Sequence, residues 1–315
     1  MIHEDLLRNF DNLVEQLLLH RPLHFHKIKE DAYGYHAHQP GKYDLFLNCG
    51  LHGNEIAGLS IVNALLDAII KKKTTPQLNI IFCLANREAV KKNRRQINRD
   101  LNRSFHVPSP GCAEEERASE LEDLAQQAHL VLDLHQTTAD AISPFFLLRP
   151  LPANLNLLNL LKLPNWPVVL YKEGNFSADG SSFSTSCFKN AIPFITVELG
   201  LVGLQPEFEQ LLVNNLITII TCQTPLLWRH SLSQKPAHCA NDFFQEAEVI
   251  LKVNADDHLV PGMKNLSPVK IGAELYYQNN TIIKSNGDYF VLFPKYGIYR
   301  DTSSELVRLL RKVKL

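Results

Sequence analysis

The sequence contains no apolar run of the roughly 20 residues needed to span a bilayer. It also lacks a basic surplus. With a formal net charge of −1 there is no excess of cations to neutralise phosphates, which argues against a nucleic-acid binder. The run Lys71-Lys72-Lys73 closes a predicted helix, where positive charge complements the dipole. The six cysteines (Cys49, Cys83, Cys112, Cys187, Cys222, Cys239) show neither a disulfide rhythm nor a Cys-x-x-Cys pair. Cys49 and Cys83 lie in apolar, strand-like runs, where a thiol behaves as a small hydrophobe. Met1-Ile2-His3-Glu4-Asp5 lacks the charged-then-apolar order of a signal peptide. Internal repeats and low-complexity stretches are missing as well. A reducing cytoplasm is therefore the expected setting, with neither nucleic acid nor membrane as a partner.

What is present is an ordinary globular composition. Apolar residues make up 45% and charged residues 21% of a 315-residue chain, enough for one large domain or a large and a small one. Asp5–Leu19 places Leu6, Leu7, Phe10, Leu13, Val14, Leu17 and Leu18 on one helical face. The following polar stretch holds His20, His24, His26, His36 and His38, without an acid placed to share a metal with them. From Tyr43 the pattern alternates: strand 43–49, helix 55–72, strand 78–84, helix 113–128, strand 129–134, then strands 144–148, 167–171 and 192–197. A helical period resumes over 206–227. Such alternation predicts an α/β fold with a mostly parallel mixed sheet flanked by helices. Residues 230–241 read as a linker. Beyond it, 247–253, 269–275, 281–284 and 289–293 are short strand-like runs, and 303–313 is expected to form a closing helix. The expected division is 1–229, a linker at 230–241, and a smaller β-rich C-terminal domain at 242–315 that caps the site.

Three groups of residues fall at predicted strand ends, where open α/β sheets bind ligands. In Gly50-Leu51-His52-Gly53-Asn54-Glu55 a histidine stands three residues before a glutamate. That spacing puts both side chains on one side of a turn, so they can grip one ion. The strand over 129–134 delivers His135, and two histidines with a glutamate form the ligand list of hydrolytic zinc enzymes that leave one position for water. A capping glutamate and two structural histidines are the alternative. Asp133 is expected on the opposite face of its strand. Glu198, carried by the strand over 192–197, reads either as a general base or as a glutamate at the sheet edge. Arg94, Arg95, Arg99 and Arg103 interleave with Asn98, Asp100 and Asn102. That arrangement suits carboxylate binding and oxyanion stabilisation better than nucleic acid.

His52-Gly-Asn-Glu55, Arg95…Asp100-Leu-Asn-Arg103, Asp133-Leu-His135 and Glu198-Leu-Gly200 stand in the order, and at about the separations, seen in the succinylglutamate desuccinylase/aspartoacylase family. These enzymes are relatives of the zinc carboxypeptidases, and the chain resembles them over residues 45–200. The resemblance implies one zinc ion on His52, Glu55 and His135, with Glu198 as general acid/base. It further implies Arg95 polarising the scissile carbonyl, and Asn102 with Arg103 holding a substrate carboxylate. A looser match over Val291–Tyr299 puts Tyr299 against the substrate.

There are departures. His135-Gln136-Thr137-Thr138 is closer to aspartoacylase, and Thr196–Gly200 closer to the desuccinylase. The stretch Ser184–Lys189 lacks the carboxylate-binding arginine that aspartoacylase carries before its catalytic glutamate. Lys189 or Arg149 could supply that charge. Residues 172–182 read as a loop over the site or an inert surface loop. The expectation is a zinc-dependent amidohydrolase acting on a small N-acyl amino acid such as N-succinylglutamate or N-acetylaspartate, with homo-oligomerisation left open. The rivals are a metallocarboxypeptidase and a non-catalytic metal or carboxylate binder.

Overall fold

The computed structural model describes residues 2–38, 40–171, 180–222, 225–235, 239–296 and 304–315. The order is α1 (Ile2–His20), β1 (Phe25–Lys29), β2 (Ala32–Tyr35), β3 (Leu45–Cys49), α2 (Ala57–Ile70), β4 (Ile80–Leu84), α3 (Arg87–Lys91), α4 (Ala113–Gln126), β5 (Val131–Thr137) and β6 (Phe145–Leu148). Next come α5 (Pro152–Leu161), β7 (Val168–Leu170), α6 (Phe183–Lys189), β8 (Phe194–Leu201), α7 (Pro206–Cys222) and α8 (Pro225–Ser233). The remainder is β9 (Phe243–Leu251), β10 (His258–Leu259), β11 (Pro268–Val269), β12 (Glu274–Gln278), β13 (Thr281–Lys284), β14 (Tyr289–Leu292) and β15 (Glu305–Val313).

Twelve strands hydrogen-bond in the order β1-β2-β4-β3-β5-β8-β6-β7-β9-β15-β14-β11, and β10, β12 and β13 form a second small sheet. The centre β4-β3-β5-β8 is parallel, as are β6-β7 and β7-β9. Its strands are continuous apolar runs because both faces are covered. Alternation sorts the side chains. Leu45, Leu47, Leu132 and Leu134 pack with α1, α2 and α7 on one face, while Phe46 and Val131 pack with α4 and α6 on the other. On that second face, at the carboxyl ends of β3, β5 and β8, polar residues replace the apolar ones.

The α/β scaffold with a β-rich C-terminal part is as expected, but several elements differ. Residues 303–313 were expected as a helix; Glu305–Val313 is strand β15, paired with β9 on one side and β14 on the other. Irregularities at Glu305/Val307 and Leu309/Leu310 break the two-residue period. An inserted residue moves the following side chains to the other face, so Leu306, Val307, Leu309 and Leu310 mimic a helical stripe. Of the helix expected over 206–227, Pro206–Cys222 is α7 and Pro225 begins α8, with residues 223–224 outside the described residues. The polar stretch after α1 holds the β1–β2 hairpin, where His24 stacks on Tyr35 and His36 stacks on both His26 and Tyr43. The stretch 230–241 begins within α8, and the chain rejoins the large sheet at Phe243, opposite Val168 of β7.

Candidate metal centre and its cavity

The turn between β3 and α2 is shaped by two glycines. Gly50 has φ +66°, a conformation that costs other residues their Cβ clearance. A Cβ on Gly53 would lie 2.0 Å from the carbonyl carbon of Ala89 and 2.2 Å from the nitrogen of Val90. Packing this close to α3 leaves no room for a side chain and turns His52 and Glu55 inward, both buried. Parallel pairing does the rest. His135 of β5 stands opposite Glu198 of β8, and Asp133 stands opposite Asn48 of β3.

The three predicted ligands meet. His52 Nδ1 lies 2.7 Å from Glu55 Oε1 and His135 Nδ1 lies 2.9 Å from Glu55 Oε2. Donor atoms of the three residues are all within 4.8 Å of one another, the one such cluster among the described residues. The far side of each ring is held by an acid: His52 Nε2 is 3.1 Å from Asp100 Oδ1, and His135 Nε2 is 2.8 Å from Asp133 Oδ2. With Nε2–H donated to a carboxylate, a neutral imidazole turns its Nδ1 lone pair toward Glu55. Two lone pairs facing a carboxylate attract only if a cation or extra protons sit between them. The donor set therefore fits a metal that takes nitrogen and oxygen ligands.

The electrostatics agree. Burial pushes the Glu55 carboxyl up, but the imidazoles of His52 and His135 outweigh it and hold the group well below the usual carboxylate range. Burial lowers His135, yet Asp133 and Glu55 together raise it well above an ordinary histidine. Burial also pushes Asp100 up, and bonds to His52 and Arg95 reverse that. Glu198 goes the other way. Burial, opposed by His135 and reinforced by Glu55, lifts it to about 7. Its Oε2 is buried without a hydrogen-bond partner among the described residues.

The expectation for Asp133 fails. It lies on the same face as His135, because residues two apart on a strand point the same way. Asp133 also accepts a 2.8 Å hydrogen bond from Asn48 Nδ2, which fixes its carboxylate. We expect Asp133→Asn to keep the fold but weaken metal retention about 10- to 100-fold, the usual effect of losing the carboxylate behind a ligand histidine. Chelator competition measures this; unaltered retention would detach Asp133 from the centre.

A cavity of about 410 Å³ opens beside the three ligands. Arg95, Asn102, Arg103 and Glu198 line it as expected. Arg95 Nη2 is 2.9 Å from Asp100 Oδ2 and Nη1 is 3.5 Å from Glu55 Oε1, so the guanidinium sits beside the ligands. Asn102 Oδ1 accepts from the Phe183 backbone at 3.0 Å, which fixes its amide in the cavity wall. Arg103 is braced by a 2.6 Å bond from Nη1 to the Asn102 carbonyl. The sequence reading did not anticipate Tyr171, Thr196, Phe293, Lys295, Glu305 and Arg308 in the lining. The last four come from around β14 and β15, remote in sequence and carrying no local motif. Only Thr196 had a signal, two residues before Glu198 on one strand. Lys189 and Arg149 do not line the cavity. Tyr299 and residues 172–179 lie outside the described residues.

The mixed α/β scaffold thus carries at its strand ends a buried His-Glu-His cluster that could hold a metal ion. Residues 42–220 match the succinylglutamate desuccinylase/aspartoacylase catalytic domain, and the chain belongs to that family. It is 41% identical to the succinylglutamate desuccinylase of Pseudomonas fluorescens (strain Pf0-1) over 85 residues, 26% of this chain and 25% of that protein. Against the Pseudomonas aeruginosa (strain LESB58) enzyme it is 35% identical over 102 residues, 29% of this chain and 30% of that protein. The matched segment thus spans less than a third of these curated relatives. The fold resembles succinylglutamate desuccinylase from Vibrio cholerae, with a TM-score of 0.72 at 17% identity over 95% of this chain and 94% of that one. Murine aminoacylase 3 gives 0.65 at 18% identity over 88% and 97%.

Proposed function

We propose that this chain is a zinc-dependent hydrolase that cleaves the amide bond of a small N-acyl amino acid, N-succinylglutamate- or N-acetylaspartate-like. The observation that carries it is the pair of imidazole Nδ1 atoms turned onto the Glu55 carboxylate, each ring backed by an aspartate, with the unpartnered Glu198 oxygen in the cavity they border. His52, Glu55 and His135 would hold one zinc ion, which when bound supplies Lewis acidity toward water and carbonyl oxygen. Glu198 takes the proton of the attacking water and returns it to the leaving amine. Arg95 steadies the negative charge that develops on the carbonyl oxygen. Asn102 and Arg103 bind a carboxylate of the amino-acid moiety. Residues 1–229 form the catalytic unit in this reading, and 242–315 the C-terminal unit whose Phe293, Lys295, Glu305 and Arg308 close one side of the cavity.

A reducing cytoplasm suits the six cysteines, all free thiols, and no helix among the described residues is long and apolar enough to cross a membrane. A cavity of this volume favours a small molecule over the peptide terminus that a metallocarboxypeptidase takes. Hydrolysis assays of the zinc-loaded protein on N-succinylglutamate, N-acetylglutamate, N-acetylaspartate, neutral acyl-amino acids and a peptide test the reading. Turnover of the peptide alone favours the carboxypeptidase, and turnover of none favours the non-catalytic binder. Because the segment Ser184–Lys189 lacks an arginine, N-acetylaspartate is expected to be a poor substrate.

Two substitutions separate the arginines. Arg103→Lys should raise KM by roughly 10-fold or more although the charge is kept, since lysine offers a point charge where a fork is needed. Arg95→Ala should act mainly on kcat, because an oxyanion contact strengthens in the transition state. Steady-state kinetics on the best substrate decide both; equal effects on kcat and KM in the two variants would remove this division of labour.

A further inference from the structure

Asn265 lies between β10 and β11, where it makes an isolated bridge to Ala141, and it is fully buried. A buried primary amide is costly unless its N–H groups and its oxygen all find partners. Here they do. Nδ2 donates to the carbonyls of Ala139 at 3.1 Å and Asp140 at 3.2 Å, and Oδ1 accepts from the backbone nitrogen of Phe293 at 2.7 Å. The backbone repeats the first link: the Asn265 nitrogen donates to the Asp140 carbonyl at 2.8 Å, and the Asn265 carbonyl accepts from Ile142 at 3.1 Å. One side chain thus joins two segments that are 126 and 28 residues away from it in the chain.

Both segments belong to the cavity. The first continues from His135: Thr137 and Thr138 are in the lining, and the Thr137 hydroxyl donates at 2.6 Å to the same Ala139 carbonyl that Asn265 holds. The second is Phe293, also in the lining, with its ring centroid 6.3 Å from that of Phe145. Phe145 stands opposite Glu198 across the β6–β8 pairing, so Phe293 walls the side that carries Glu198. Local preference would not keep Phe293 there. Its φ is +49°, a left-handed conformation that crowds the Cβ, and the following Pro294 favours extended backbone with negative φ. Leu266, next to Asn265, is left-handed as well, with φ +65°. Such conformations persist where the surroundings over-determine them. β14 ends at Leu292, and the Asn265 side chain, not a neighbouring strand, takes the Phe293 amide.

Building on the hydrolase reading above, we infer that Asn265 is a positioning residue for substrate selection. It clamps Phe293 in its left-handed conformation and ties it to the loop that follows His135, so that the Phe293 wall and the strand carrying His135 keep a fixed spacing. That spacing sets the largest N-acyl amino acid that the cavity admits.

The test measures kcat/KM on the zinc-loaded full chain for two series of N-acyl amino acids, one enlarging the acyl group from acetyl to benzoyl and one enlarging the amino-acid side chain. The parent should favour the smaller member by about 10- to 100-fold in at least one series, the scale on which an apolar wall discriminates by size. In Asn265→Leu, which keeps the volume and removes all three side-chain bonds, that ratio should fall toward one, chiefly through a lower KM for the larger substrate. Phe293→Ala should relax the ratio equally and the double variant no further, because Asn265 acts through Phe293. A merely structural role would lower all substrates together and leave the ratio standing. Hydrogen exchange adds a reading that needs no substrate: the Phe293 amide should be protected in the parent and lose about 10-fold of that protection in Asn265→Leu, while the amides of β3 and β5 keep theirs. If Asn265→Leu does not fold, Asn265→Asp decides; it is nearly isosteric and turns an oxygen onto the carbonyls of Ala139 and Asp140. An unchanged ratio in the folded variant, a parent indifferent to size in both series, or a Phe293 amide that exchanges freely in the parent overturns the clamp while hydrolysis stands. If the parent cleaves no member of either series, the hydrolase reading falls. Titration calorimetry with the same compounds then reads the size preference as affinity, and its loss in Asn265→Leu upholds the clamp, whereas its absence from the parent or its survival in the variant overturns it.

Discussion

The parent protein should hold about one zinc ion per chain, and that content should collapse to a trace in both His52→Ala and His135→Ala. Each substitution removes one of three ligands, and a site with two protein donors is no longer the closed, preorganised set that zinc selects. The loss extends beyond one bond. In His52→Ala the half-buried Asp100 loses the imidazole that it holds at 3.1 Å, and in His135→Ala the buried Asp133 loses its 2.8 Å partner. Each acid is then left near Glu55 with less positive charge between them. Because a ligand that binds only the folded state stabilises it by mass action, added zinc should raise the melting temperature of the parent and not of the variants. Elemental analysis with melting curves in zinc and in chelator measures both effects. Stoichiometric zinc retained in the two variants would show that the ligands have been assigned wrongly.

Glu198→Gln should retain zinc and fold yet lose roughly 10²- to 10⁴-fold in kcat, the usual contribution of a general base. The amide is nearly isosteric but cannot accept the proton. Glu198 sits opposite His135 across the β5–β8 pairing, and its burial lifts the carboxyl to about 7. That shift has a consequence for metal-free protein. A folded-state value above the unfolded carboxylate value of about 4.3 means that the native state binds the proton more tightly. The stability contributed is present below that unfolded value and is lost as pH rises through about 7. Glutamine does not titrate, so chelator-treated Glu198→Gln should show a flatter dependence of melting temperature on pH between these values than the chelator-treated parent. Near-normal turnover in the variant would move the base elsewhere, with Glu173 the next acid to substitute.

Much of this centre was legible before any coordinates. A strand-then-helix pattern around His52 and Glu55, and a strand leading to His135, are local signals, and in an α/β sheet such ends converge. Asp133 was equally legible and was misplaced, because the two-residue strand period puts it beside His135. β15 could not be read locally. Its leucines and valines are spaced like a helix because of the irregularities in its pairing with β9, and its strand conformation depends on partners on both sides. Local propensity yields when pairing and burial oppose it.

The sequence by itself determined the scaffold and the metal-ligand candidates, because buried parallel strands must be apolar throughout and a turn at their ends must carry glycine and the polar groups. Only the tertiary structure decided which acids hold the histidine rings and that the β14–β15 region walls the cavity. Those relations join segments far apart in the chain, such as Asp100 with His52 and Phe293 with Glu198. Contacts of that kind are set by how the sheet and its helices pack, which no local spacing encodes.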